Sequence, residues 1–338
     1  MLMKITSLAR ARAVLAGIGA VAVSVITAAA VSLPANAQTL VWSVVPSPSP
    51  AMFNDLYGVS CISASACTAV GNSGSDTLIE SWDGTGWSVV PSPSPSATGD
   101  WLSGVSCVSA AACMAVGYQS TSSTQNNYAT LAESWDGTGW SVVPSPNPSK
   151  ANNSLGGVSC ISATVCIAVG SYDSGPLTRG LIESWNGTRW SKVFSPRRGF
   201  WDFLSSVSCV SATACTAVGV YQGGAEHTSI ESWNGTSWSV VPSPSRDSPE
   251  LNQVSCSSAT TCTAVGSYSS GGTNMKTLIM ALDGTAWSIV PSPSRGPRSQ
   301  LNGVLCLSAT LCTAVGTNDT TGSAQSRTLI ESGAASAR

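Results

Sequence analysis

Beyond residue 40 the apolar residues fall in short runs of four to six, and the runs return in one fixed order. One copy shows the order: Leu102-Ser-Gly-Val-Ser-Cys107, Cys113-Met-Ala-Val-Gly117, Thr130-Leu-Ala-Glu-Ser-Trp135 and Trp140-Ser-Val-Val143. Each run is rich in Val, β-branched or aromatic residues and is bounded by Gly, Pro, Ser or Asp, which is the signal of short strands between turns. No helical period interrupts them. The unit recurs at spacings of 46, 53, 49, 47 and 50 residues. Four short antiparallel strands in about 49 residues match a propeller blade. The prediction is an all-β, six-bladed β-propeller with four antiparallel strands per blade.

The blade count follows from the two ends. The fourth-strand pattern W-S-x-V begins at Trp42, Trp87, Trp140, Trp190, Trp238 and Trp287, whereas the last unit stops after a third strand, Thr328–Ser332. The segment at Trp42 is therefore expected to complete the last blade, a closure that removes two open sheet edges. A linear array of separate sheets would leave both ends unpaired. The fourth strand runs into Pro-Ser-Pro in five of six copies, and proline is tolerated only at a sheet edge.

Cysteine usage bears on the compartment. All twelve cysteines form C-x5-C pairs: Cys61/Cys67, Cys107/Cys113, Cys160/Cys166, Cys209/Cys215, Cys256/Cys262 and Cys306/Cys312. Zinc sites use closer spacings and a second ligand pair, and His227 is the only histidine. The pairs are expected to be hairpin disulfides, with no metal and no cofactor. The first 37 residues agree with export. Lys4, Arg10 and Arg12 precede an uncharged apolar stretch from Ala13 to Leu33, and Ala35-Asn36-Ala37 is a small-x-small cleavage pattern. An uncleaved anchor is the alternative, since the stretch is long enough to span a bilayer. Residues 38–338 then form a single domain. Three of the 15 Lys+Arg and none of the 17 Asp+Glu lie in the signal, so the remainder carries 12 against 17, a net of −5. No basic run is present to hold phosphates, which argues against nucleic acid. The expectation is a secreted monomer, free of the membrane after cleavage.

The turn between third and fourth strands is W-D/N-G-T-x-W, as in Trp82–Trp87, with copies at Trp135, Trp185 and Trp233 and a variant at Leu282. Asp or Asn before Gly suits a tight turn. One such ligand per turn is too few for calcium. Asn186 and Asn234 also match a glycosylation sequon within this turn. Ser81–Trp87 resembles the Asp-box of sialidase-type (BNR) propellers, although one residue is missing between Asp and Gly. The period and the Gly-aromatic punctuation resemble kelch and galactose-oxidase-like propellers. The V-S-C…C-x-A-V-G hairpin resembles secreted bacterial repeat proteins of GC-rich organisms. These resemblances imply a propeller and no particular activity.

Function is expected on one face. The first–second and third–fourth loops are nearly identical in all copies. The second–third loops and the crossovers vary, as Gly71–Asp76 against Gly117–Ala129 shows. Variable loops on a rigid scaffold carry recognition. That face gathers Trp101 and Trp201 in crossovers, with Phe53, Tyr57, Phe200 and Phe203 close by. Tyr118, Tyr172, Tyr221 and Tyr268 stand at the exit of the second strand and Tyr128 in the longest loop. Trp101, Trp201, Phe203, Tyr118, Tyr128, Tyr172, Tyr221 and Tyr268 are the candidate ligand-binding residues, able to stack on sugars or on a protein. Capping of blade ends is the alternative role.

No catalytic residue is assigned. His227 stands alone, and no nucleophile elbow supports a triad; copper would want more imidazoles. A sialidase-like site would need converging arginines, a nucleophile and an acid. Arg179, Arg197, Arg198, Arg295, Arg298 and Arg327, with Asp55, Asp100, Asp173, Asp202 and Glu226, lie in variable segments without a shared spacing. Glu80, Glu133, Glu183, Glu231 and Glu331 repeat at one third-strand position and read as framework. The sequence points to a secreted binding or adhesion propeller whose ligand is a glycan, a cell-envelope polymer or an extracellular protein. The alternatives are a glycan-cleaving hydrolase or lyase and a purely structural envelope protein.

Overall fold

A computed structural model describes residues 45–122, 127–271, 274–294, 296–319 and 326–334. The expected signal at residues 1–37, the Trp42 strand and Arg295 lie outside the described residues. The rest is all-β. Four sheets each hold four antiparallel strands in chain order. The first is β1 (Asn54–Ser63), β2 (Ala66–Ser73), β3 (Asp76–Trp82) and β4 (Trp87–Val89). The second is β5 (Asp100–Ser109), β6 (Ala112–Ser120), β7 (Tyr128–Trp135) and β8 (Trp140–Val142). The third is β9 (Asn153–Ser162), β10 (Val165–Ser174), β11 (Leu177–Trp185) and β12 (Trp190–Val193). The fourth is β13 (Trp201–Ser211), β14 (Ala214–Gln222), β15 (Glu226–Trp233) and β16 (Trp238–Val240).

The count departs from six equal blades. The described strands form five sheets, and the fifth has seven strands. It joins β17 (Glu250–Ser258), β18 (Thr261–Ser269), β19 (Met275–Asp283) and β20 (Ala286–Val290) to β21 (Arg298–Ser308), β22 (Leu311–Asp319) and β23 (Ser326–Ala334). The join is a single parallel bridge between Met275 and Arg298. Among the described residues, no fourth strand pairs with β23.

The repeated residues have repeated jobs. Every cysteine pair lies directly across the first hairpin and is bonded, Cys61–Cys67 with Cα atoms 4.0 Å apart. Cys107–Cys113, Cys160–Cys166, Cys209–Cys215, Cys256–Cys262 and Cys306–Cys312 are bonded in the same way. Cys166 and Cys262 are bonded as expected and have a second role as well. Each is 2% exposed and belongs to the apolar core between units. The physical reason is that the second strand is covered on both faces by neighbouring strands, so its cysteine is packed as a small apolar residue as well as bonded.

The A-V-G glycine recurs because a Cβ on Gly71 would overlap the Asp55 carbonyl, as one on Gly117 would overlap that of Trp101. Each unit's V-S-C serine clasps the next. The N–H of Cys107 donates to Ser60 Oγ at 3.0 Å, and Cys160, Cys209, Cys256 and Cys306 donate likewise to Ser106, Ser159, Ser208 and Ser255. The last unit has Leu305 in place of that serine.

Apolar side chains of adjacent sheets interdigitate between them. Met114, Val116 and Ala132 meet Leu155, Ala168 and Leu181, and Ile167, Val169 and Ile182 meet Leu204, Val207 and Ala217. Burial of this kind, about 25 cal/mol per Å², dominates the stability. The inner strands approach closely. A Cβ on Gly58 would lie 3.0 Å from Gly104 Cα, and one on Gly157 would lie 3.1 Å from Ser206 Cα. The two ends of the array lack such cover. Val59 is 63% exposed where its counterparts Val105, Val158, Val207, Val254 and Val304 are buried, and Val315 is 41% exposed where Val70, Val116, Val169, Val218 and Val265 are buried.

The repeated turn is used by its own backbone. Asp83 Oδ1 accepts from Thr85 N at 2.8 Å, Thr85 Oγ1 at 2.7 Å and Gly86 N at 2.9 Å. The Thr85 hydroxyl and the two amides hold the Asp83 carboxyl below its ordinary pKa. Gly84 takes φ 96°, which a side chain would strain. The bracketing tryptophans pair across the strands with centroids 5.7 Å apart, and Trp82 Nε1 donates to the Ala64 carbonyl.

The repeating glutamates are framework residues at the seams between units. Glu80, Glu133, Glu183 and Glu231 are fully buried. The first serine after the preceding unit's fourth strand donates to most of them: Ser145 to Glu183 at 2.6 Å, Ser195 to Glu231 at 3.2 Å and Ser292 to Glu331 at 2.7 Å. Ser47 donates to Glu80 at 2.7 Å in the same way. The N-terminal tail thus sits against the first unit as a preceding unit's tail would.

Candidate functional site

The antiparallel hairpins put the second–third loops and the crossovers at one end of every sheet and the uniform turns at the other. The candidate aromatics lie at the variable end, in two groups. In the second unit Trp101 stacks on Tyr118 with centroids 5.1 Å apart, and Tyr128 meets both edge-on, 6.3 Å from Trp101 and 5.2 Å from Tyr118. All three are half-buried. Burial first, and then the Tyr57 and Tyr128 hydroxyls, push the Tyr118 phenol above its ordinary pKa.

The tyrosines are not all in register. Tyr118 follows its A-V-G glycine directly, opposite Trp101, whereas Tyr172, Tyr221 and Tyr268 come one residue later. Strand alternation sends adjacent residues to opposite faces, so Tyr118 joins the Trp101 cluster while the other three face a cation. Lys192 Nζ lies 4.0 Å over the Tyr172 ring, the Arg198 guanidinium 3.8 Å over Tyr221, and that of Arg246 5.6 Å over Tyr268. Trp201 and Phe203 are exposed, and Phe200 meets Trp201 edge-on at 6.2 Å. His227 lies against Tyr221, 5.2 Å between centroids.

Of the scattered charged candidates, four gather between the third and fourth units. A cleft of about 80 Å³ is lined by Tyr172, Arg179, Lys192, Ser195, Arg197 and Asp202, among others. Arg179 Nη1 donates to the Gly199 carbonyl at 3.0 Å, and Arg198 packs alongside with its Nη1 buried and without a hydrogen-bond partner. Asp202 is 1% exposed. Its Oδ1 accepts from Ser229 at 3.3 Å, and its Oδ2 is buried with no partner. Burial pushes the Asp202 carboxyl up to about 6 against the opposing pull of Arg198, Ser229 and Arg179. Burial, with Asp202 adding to it, pushes Glu231 up to about 8. Asp55, Asp100, Asp173, Glu226, Arg298 and Arg327 line no part of this cleft. Gly180, Lys192 and Ser195 do, although sequence reasoning did not single them out; the signal that marks the place is the interruption of the repeat at Gly180.

No family model and no curated protein matches the chain. Solved structures of similar fold do exist. One is YCF48 bound to D1 peptide, with 14% identity, a TM-score of 0.51, and coverage of 82% of this chain and 77% of that one. The fold is propeller-like. The stacked four-stranded sheets and this neighbour agree on that. Six disulfides are consistent with an extracellular location, and among the described residues no helix is long and apolar enough to cross a membrane.

Proposed function

We propose that this chain is a secreted, six-bladed binding propeller that recognises a glycan or cell-envelope polymer through its variable loop face. The observation that carries the reading is the grouping of aromatics at that end, with the Trp101–Tyr118–Tyr128 cluster at one unit and exposed Trp201 and Phe203 at another. Aromatic faces beside polar groups suit sugar rings. Binding is favoured over cleavage because Glu231, the carboxylate beside Asp202, is fully buried and bonded to Ser195, so the cleft offers no second carboxyl to a ligand. A glycosidase needs two carboxyls that reach the substrate.

Six blades require that residues 42–45 add the missing strand to β23. Two observations support this. Ser47 holds Glu80 as each tail holds the next unit, and the exposed apolar sides at Val59 and at Leu305, Val315 and Ile330 would cover each other on closure. A peptide ligand is the second reading, favoured by the peptide named with the YCF48 neighbour. The test is a glycan and peptide array probed with the full chain and with W201A/F203A. Glycan binding that the double variant loses, without release of reducing sugar, supports the first reading. Peptide binding alone moves it to the second, and turnover refutes both.

A further inference from the structure

The internal repeat breaks at one place, and that place is the cleft between the third and fourth units. Five units carry threonine at the third-strand position two before the Ile/Ala core residue: Thr77, Thr130, Thr228, Thr277 and Thr328. In the first four of these this threonine latches the tail that follows the fourth strand. Thr77 Oγ1 bonds Ser92 at 2.7 Å, Pro93 O at 2.9 Å and Ser94 at 3.2 Å. Thr130 bonds Pro146 and Asn147, Thr228 bonds Ser243 and Pro244, and Thr277 bonds Ser292 and Ser294. The third unit has Gly180 instead. Its tail reads Phe194-Ser195-Pro196-Arg197 where the others read Pro-Ser-Pro-Ser or Pro-Ser-Pro-Asn. Both halves of the latch are lost in the same unit, and the space is left open. A Cβ on Gly180 would stand 3.0 Å from Ser195 Oγ and 3.6 Å from Asp202 Oδ2.

The walls of that space ask for a particular occupant. At the floor, Asp202 Oδ2 is an acceptor without a donor, and an unpaired buried oxygen costs about 1–3 kcal/mol. At the rim stand Arg179, Lys192 and Arg197, positive charges on a chain whose residues beyond the signal carry a net of −5. The occupant must therefore donate a hydroxyl inward and present negative charge outward. A uronic acid or a polyol phosphate carries both within a few bonds. A peptide carboxylate would satisfy the rim but brings no hydroxyl to the floor.

We propose that this cleft binds an anionic, hydroxyl-bearing polymer, with a hydroxyl donated to Asp202 Oδ2 and the carboxylate or phosphate held by Arg179, Lys192 and Arg197. The inference rests on the variable face being the ligand surface and supplies the chemistry of its ligand. The test is titration of the full chain with polygalacturonate, poly(glycerol phosphate), neutral dextran and poly-glutamate. Binding to polygalacturonate or to poly(glycerol phosphate) is expected, and which of the two binds identifies the anion. G180T/R197S rebuilds the latch that Thr77 makes with Ser94, so it fills the cleft with residues the repeat already accepts. It should weaken binding at least tenfold with its unfolding midpoint kept. Unchanged affinity in G180T/R197S overturns the assignment, as does binding confined to poly-glutamate. Equal binding to dextran overturns it while leaving the glycan reading standing, and no binding to polygalacturonate, poly(glycerol phosphate) or dextran removes both.

Discussion

Replacing Glu133 with glutamine should stabilise the protein at pH 8 and leave it nearly unchanged at pH 5. Glu133 is fully buried at the seam between the first and second units, and both its carboxyl oxygens lack a hydrogen-bond partner. Ser92, which stands where Ser145 serves Glu183, bonds Thr77 and makes no bond to Glu133. Burial, with a smaller push from Asp100, raises the Glu133 carboxyl from 4.5 to about 8. A carboxyl raised in the folded state holds its proton longer than in the unfolded chain. Its stabilisation is complete below the unfolded pKa and is lost as pH climbs toward the folded one. A shift of that size is worth about 5 kcal/mol at about 1.4 kcal/mol per unit, most of it gone by pH 8. Glutamine keeps the shape without the charge, at a cost of about 1 kcal/mol for an imperfectly paired amide. Urea unfolding at both pH values should therefore show E133Q ahead of the parent by about 2–4 kcal/mol at pH 8 and level or slightly behind at pH 5. Equal differences at the two pH values would refute the reasoning.

Glu183, raised to about 7, and Glu231, raised to about 8, act in the same direction, so the unmodified protein should melt higher at pH 5 than at pH 8 in a scanning calorimeter. C209S/C215S opens one short hairpin link, and loop-closure entropy puts the loss at about 2 kcal/mol; an unshifted urea midpoint would contradict this. In the first four units serines face each other across the last two strands, as Ser81 faces Ser88. If the ring closes as proposed, the same register would bring Ser43 opposite Ser332, so S43C/S332C should yield a 43–332 link in a non-reducing peptide map, and its failure to form would count against ring closure.

The repeating residues were the most legible because each copy confirms the others. The A-V-G glycine is fixed by a carbonyl that leaves no room for a Cβ, the V-S-C serine by the amide of the next unit, and the paired cysteines by facing positions on one hairpin. Such constraints act within one unit or between neighbours, and a period of about 49 residues displays them directly. The second job of Cys166 and Cys262, filling the core between units, was hidden because spacing along the chain says nothing of what covers a strand. The blade count was less legible: the described strands form five sheets, and a sixth blade would need a pairing between the two ends of the chain, which no local pattern encodes. The side-chain direction of Tyr118 was less legible for a plainer reason. A slip of one residue against the neighbouring copies reverses the face in a strand, and it turned an expected member of the tyrosine row into the partner of Trp101.

The cleft shows where function hides in a repeat protein. The residues that recur are spent on the fold, down to the Asp83 carboxyl that its own turn consumes. Chemistry free to meet a ligand then lies where one copy departs from the rest and nothing restores the lost bond. Gly180 against five threonines is such a departure, and it was visible in the sequence. Its meaning came only with the tail of Arg197 and the unpaired Asp202 oxygen beside it. A lone glycine could have been drift, but the loss of both latch partners around an unsatisfied buried oxygen costs stability that a ligand would restore. If so, saturating the cleft should raise the unfolding midpoint of the parent and leave that of G180T/R197S in place.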